Sequence, residues 1–128
     1  MEARSESSFL AANDFYAKLR SFTGTENYYV HSSGMRYTDG VKFLADEVEA
    51  YWLLDVIASW QPQALRDSWL REFQLWELIV HENGSATVAC SRDTNDVAFR
   101  QPIPFTDFPL DGVRLYVEGG VILLPSEH

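Results

Sequence analysis

The hydrophobic period of this chain changes once. Up to Leu70 the apolar side chains recur at helical spacing; beyond it they alternate in strand-length runs separated by turn formers. Helices therefore precede strands, and each element has one apolar face to cover, so the helices must pack on the sheet. The expected fold class is α+β in two layers: an antiparallel β-meander sheet covered on one face by the N-terminal helices. With 128 residues, 46% of them hydrophobic, the chain can bury a core by itself.

Within the helical half, Phe9, Leu10, Phe15, Leu19 and Phe22 share one face, with Ser7, Ser8 or Asn13 able to cap the start and Gly24 just beyond the end. Residues 1–8, MEARSESS, are polar and aperiodic and read as a loose tail. Residues 9–128 contain no repeat or polar linker and read as one domain. A short hairpin is expected around Ser32-Ser33-Gly34. The strongest helix runs from Leu44 to Trp60 and ends at Pro62, with Ala50, Leu53, Val56, Ile57 and Trp60 on one face. Asp46, Glu47 and Glu49 then fall near its start, where the helix dipole favours carboxylates. Trp69 and Leu70 are expected to close over the core.

In the second half, Phe73 to His81 and Ser85 to Ser91 flank Asn83-Gly84, the strongest hairpin signal in the chain. A two-residue loop there would set His81 opposite Ala86 and Cys90 opposite Glu77. Asp93 to Asp96 is a second turn leading to Val97 to Gln101, which Pro102 and Pro104 should end. Val113 to Val117 and Val121 to Leu124 flank Glu118-Gly119-Gly120, a third hairpin.

Nineteen acids against ten Lys and Arg give a net charge of -9. Such a field repels phosphate, so direct binding to nucleic acid or to an anionic membrane is disfavoured, while a basic protein partner is allowed. The excess is uneven. Residues 37–60 set five acids against Lys42, and residues 93–128 set six acids against Arg100 and Arg114. Asp46, Glu47, Glu49, Asp107, Asp111 and Glu118 are the carboxylates expected to meet a partner.

Candidate chemistry is sparse. His31, His81 and His128 form no HxH, HxxxH or HExxH pattern, so neither a metal nor a cofactor is expected. Cys90, the single cysteine, forms no intrachain disulfide, and in the two-residue register it lies roughly 13 Å along the strand from His81, too far for a nucleophile and its base. Asp55 interrupts an apolar helix and could serve as an acid at its edge. The expectation is a chain that is not an enzyme. The start lacks a secretory pattern and no apolar run approaches the roughly 20 residues that span a bilayer, which suits a cytoplasmic protein.

Three stretches, TDGVKFLADEVEAYWLLDVIAS at 38–59, EFQLWEL at 72–78 and FTDFPLDGVRLYVEGGVILLPSE at 105–127, resemble a family of small bacterial proteins frequent on plasmids and other mobile elements and recorded only as a domain of unknown function. The resemblance brings no activity, cofactor or catalytic residue. It implies an accessory protein of the bacterial cytoplasm carried by a phage or plasmid. Together with the acidity, it leads to an expected role as a non-catalytic interaction module, most concretely an anti-CRISPR or other anti-defence inhibitor of a basic nucleic-acid-binding complex. A self-associating accessory protein, a homodimer joined through the last hairpin, is the alternative in that class; a small-substrate enzyme using Asp55, His81 or Cys90 is the alternative outside it.

Overall fold

A computed structural model describes residues 6–128. Helix α1 (Glu6–Arg20) leads into the hairpin β1 (Tyr28–Val30) and β2 (Arg36–Thr38). Four helices follow: α2 (Asp39–Glu47), α3 (Tyr51–Ser59), α4 (Gln61–Ala64) and α5 (Ser68–Glu72). Strands β3 (Gln74–Val80), β4 (Ala86–Ser91), β5 (Val97–Ile103), β6 (Gly112–Glu118) and β7 (Val121–Leu123) then precede a 3₁₀ turn at Pro125–Glu127. The fold is α+β. The first helix starts at Glu6, inside the stretch expected to be tail; residues 1–5 of that stretch lie outside the described residues.

Alternation along the strands sorts the two sheet faces. Trp76, Leu78, Val88, Cys90, Leu115, Val117 and Ile122 join Val41, Leu44, Leu53, Leu54 and Ile57 of the helices in one buried cluster. Leu75, Glu77, Arg114 and Tyr116 face the other way and lie outside that cluster, on a face where Phe73 and His128 pack against Tyr116.

Four expectations are corrected. First, the sheet is mixed instead of a pure meander: its seven strands run β1-β2-β7-β6-β3-β4-β5, with β2 parallel to β7. Only β3-β4-β5 is a meander. Residues 104–111 carry the chain past the β3–β4 hairpin tip, where Thr106 N–H donates to the Gly84 carbonyl and Val80 N–H to that of Asp111, so β6 pairs on the far side of β3. Phe108 and Leu110, both buried, drive this crossing by entering the core.

Second, the predicted Leu44–Trp60 helix is two helices that start earlier, at Asp39, with Thr38 as cap. The chain breaks at Glu49, whose φ of 53° lies in the left-handed region. A straight helix has one core-facing stripe, whereas this segment has two buried sets, Val41, Leu44 and Ala45 before the break and Leu53, Leu54 and Ile57 after it. Third, the Asn83-Gly84 hairpin has a three-residue loop: His81 N–H donates to the Ser85 carbonyl, Val80 stands opposite Ala86, and Cys90 stands opposite Trp76 instead of Glu77. Gly84, at φ +89°, supplies the left-handed residue that this longer loop requires. Fourth, β5 runs through Pro102 to Ile103, which is tolerated because β5 is an edge strand that needs no donor on its outer side.

Two further details position the surfaces. Gly112 cannot carry a side chain, since a Cβ there would lie 2.1 Å from the Leu78 carbonyl oxygen. Trp69, expected over the core, is 73% exposed, while Leu70 beside it is buried.

Candidate interaction surface

Asp39 opens α2, and its carboxylate is held in place. It accepts the backbone N–H groups of Glu26 at 2.9 Å and Asn27 at 3.2 Å, and the Tyr29 hydroxyl at 3.1 Å. Those donors, led by the Glu26 amide, lower its pKa from the usual 3.8. Seven residues on, and so on the same helix face, Asp46 pairs with Lys42 Nζ at 2.7 Å and accepts a short hydrogen bond from the Tyr51 hydroxyl. Lys42 and then Tyr51 lower the Asp46 pKa, and the same bond pushes the Tyr51 phenol up to about 12. With Glu26, these two carboxylates line an open depression of about 580 Å³ floored by Phe22 and Phe43.

Glu47 and Glu49 are exposed as well, at and just beyond the end of α2, and do not line the depression. The split helix reverses the dipole argument made for them. Glu47 is the last residue of α2 and Glu49 lies just past its end, where the unsatisfied carbonyls are negative and carboxylates are disfavoured. Glu49 also occupies the left-handed position after a helix that glycine normally fills.

The remaining expected acids lie elsewhere. Asp107 and Asp111 belong to the loop at the hairpin tip. Glu118 ends β6 and is paired with the His128 ring at 2.7 Å. Asp111 immediately precedes β6 and Glu118 is its last residue, so they are roughly 20 Å apart. The six acids therefore form no single surface; Asp46 shares the depression with Asp39 and Glu26, while Glu47 and Glu49 follow it in the chain at the end of α2. The signal for Asp39 was a Thr-Asp pair at a helix start, which the later helix boundary concealed.

The open sheet face has a different balance. Its charged strand residues are Arg36, Arg100 and Arg114 against Glu77 and Glu118, with Arg114 and Glu77 paired at 3.2 Å. The negative excess therefore resides on the helix layer and the loops. The last hairpin offers no free edge for dimerisation either, because β7 is bonded on one side to β2 and on the other to β6. That correction follows from the parallel β2–β7 pairing, which local turn signals do not encode.

The residues weighed for catalysis are rearranged. Cys90 is fully buried opposite Trp76, and burial pushes its thiol up to about 12, far from a reactive thiolate. His81 bonds to Thr87. Asp55 meets neither of them; its partner is His31, 2.7 Å away. His128 packs against Phe73 and Tyr116. Among the described residues, no group of three or more His, Cys, Asp and Glu stands together as a metal site, and no helix is long and apolar enough to cross a membrane.

Fold and surface together define a small α+β protein with a sheet covered on one side and a fixed acidic rim on its helix layer. The chain belongs to a family of unknown function, DUF6876, whose model matches residues 13–128. No curated protein and no solved structure matches it.

Proposed function

We propose that this chain is a protein-interaction module that engages a basic partner through the rim formed by Glu26, Asp39, Asp46, Glu47 and Glu49. The observation that carries this reading is local disagreement between sequence and fold. Glu47 and Glu49 place two exposed carboxylates at the negative end of α2, one of them in a glycine conformation, at a cost to the helix. Residues set against local stability in this way point to a surface used for something other than folding. The neighbouring carboxylates of Asp39 and Asp46 are fixed by several donors each, so they meet a partner with little ordering entropy left to lose.

In its most concrete form the partner is a nucleic-acid-binding defence complex, and the chain is an anti-CRISPR or related inhibitor carried by a phage or plasmid. Fixed carboxylates can stand in for backbone phosphates in a basic channel. Affinity capture from bacterial cells expressing CRISPR effectors tests the reading. The wild-type chain should recover an effector at low salt and lose it as salt rises, and the double variant Glu47→Lys, Glu49→Lys should recover none. Equal recovery by wild type and double variant would refute it.

A further inference from the structure

We propose that Ser33, His31 and Asp55 form a hydrolytic centre for carboxylic esters with small apolar acyl groups. This goes beyond the interaction reading and does not use the acidic rim. The turn after β1 places the Ser33 hydroxyl 2.8 Å from His31 Nδ1, and helix α3 places Asp55 2.7 Å from His31 Nε2. The backbone settles the tautomer. Ser33 N–H donates to His31 Nδ1 at 3.0 Å, so Nδ1 bears the lone pair, shared between the Ser33 amide and hydroxyl, and Nε2 carries the hydrogen that it gives to Asp55. The basic nitrogen therefore faces the serine hydroxyl, and the carboxylate orients the ring from behind. Met35 N–H donates to Ser33 Oγ at 3.3 Å, which leaves the hydroxyl hydrogen directed at the imidazole. This is the nucleophile–base–orienting-carboxylate sequence of acyl-transfer enzymes, with the two ring nitrogens exchanged.

A binding cavity adjoins it. Ser33 lines a recess of about 370 Å³ whose walls include Met35, Leu65, Leu70 and Val117, with Arg71 as the single charged lining residue. Its lining is mainly apolar and suits a short acyl chain, and Arg71 is the group available to the negative oxygen that develops during attack. In the reaction, Ser33 Oγ bonds to the ester carbonyl carbon as its proton passes to His31 Nδ1, whose hydrogen bond from the Ser33 amide breaks as the nitrogen takes that proton. The C–O bond to the alcohol then breaks, and the leaving oxygen takes that proton. Water repeats the sequence on the acyl-serine, releasing the acid and restoring the hydroxyl.

Two readouts test the proposal. The folded wild-type chain is treated with a fluorophosphonate and its peptides are mapped by mass spectrometry, and hydrolysis of p-nitrophenyl butyrate is followed for the wild type and for Ser33→Ala, Ser32→Ala and Asp55→Asn. The expected results are a label on Ser33 that denaturation abolishes, and a loss of about 100-fold in kcat/KM for Ser33→Ala with Ser32→Ala unchanged. Asp55 is a positioning residue, so Asp55→Asn should lower kcat, leave KM in place and displace the alkaline-rising limb of the pH profile. Failure of the folded wild type to label at Ser33, or turnover that survives Ser33→Ala, overturns the proposal. Labelling needs no variant, so a substitution that misfolds cannot obscure the result.

Discussion

Asp67 shows how single side chains carry more than one task in a chain of this size. Its carboxylate accepts the Trp69 and Leu70 N–H groups as the cap of α5 and also holds Arg92 at 2.8 Å, tying the helix layer to the turn between β4 and β5. Arg92, and after it those amides, lower the Asp67 pKa from 3.8. A carboxylate depressed in the folded state contributes stability that is complete above its unfolded value and is lost as pH falls through the folded one. Urea midpoints measured downward from neutral pH should therefore decline through and below 3.8, and Asp67→Asn should start lower and decline less. Residues of this kind were partly legible in the sequence. Asp55 stood out as a charge in an apolar helix, yet its partner His31 is 24 positions away, and no local spacing rule connects a turn to a helix face. Glu127 was similarly hidden: it accepts from Thr38 Oγ1 at 2.6 Å and Gly40 N–H at 3.1 Å, so the end of the chain caps the start of α2.

At the scale of elements, the sequence announced type better than register or boundary. The Gly119-Gly120 hairpin was legible because both residues have positive φ and the loop length fits them. The Asn83-Gly84 hairpin misled by one residue because a left-handed glycine serves a two-residue loop and a three-residue loop alike. The split between α2 and α3 was concealed because nothing at Glu49 resembles a stop signal; burial of two differently oriented apolar sets imposes it. That strain is measurable. Glu49→Gly should raise stability by about 0.5–1 kcal/mol in urea titrations, since glycine adopts this conformation without the Cβ clash. The same substitution should weaken capture of a basic partner. A fall in stability would show that Glu49 contributes to the helix end, contrary to the proposed conflict.

For the whole molecule, composition indicated an acidic protein and the fold shows where the acidity resides. Arginines interleave with glutamates on the open sheet face, whereas Glu26, Asp39 and Asp46 line one depression with Lys42, and Glu47 and Glu49 add exposed carboxylates at the end of α2. Two segments far apart in sequence each carried a negative excess, but β6 separates Asp111 from Glu118, so segment charge did not translate into one patch. The measurement that addresses the central claim most directly is displacement of fluorescent DNA from a purified CRISPR effector, followed by anisotropy as the chain is added. The wild-type chain should release the DNA, with a potency that falls steeply as salt is raised, and the double variant Glu47→Lys, Glu49→Lys should release none. DNA that stays bound at saturating wild-type chain, or is released equally well by the charge-reversed variant, would contradict the account.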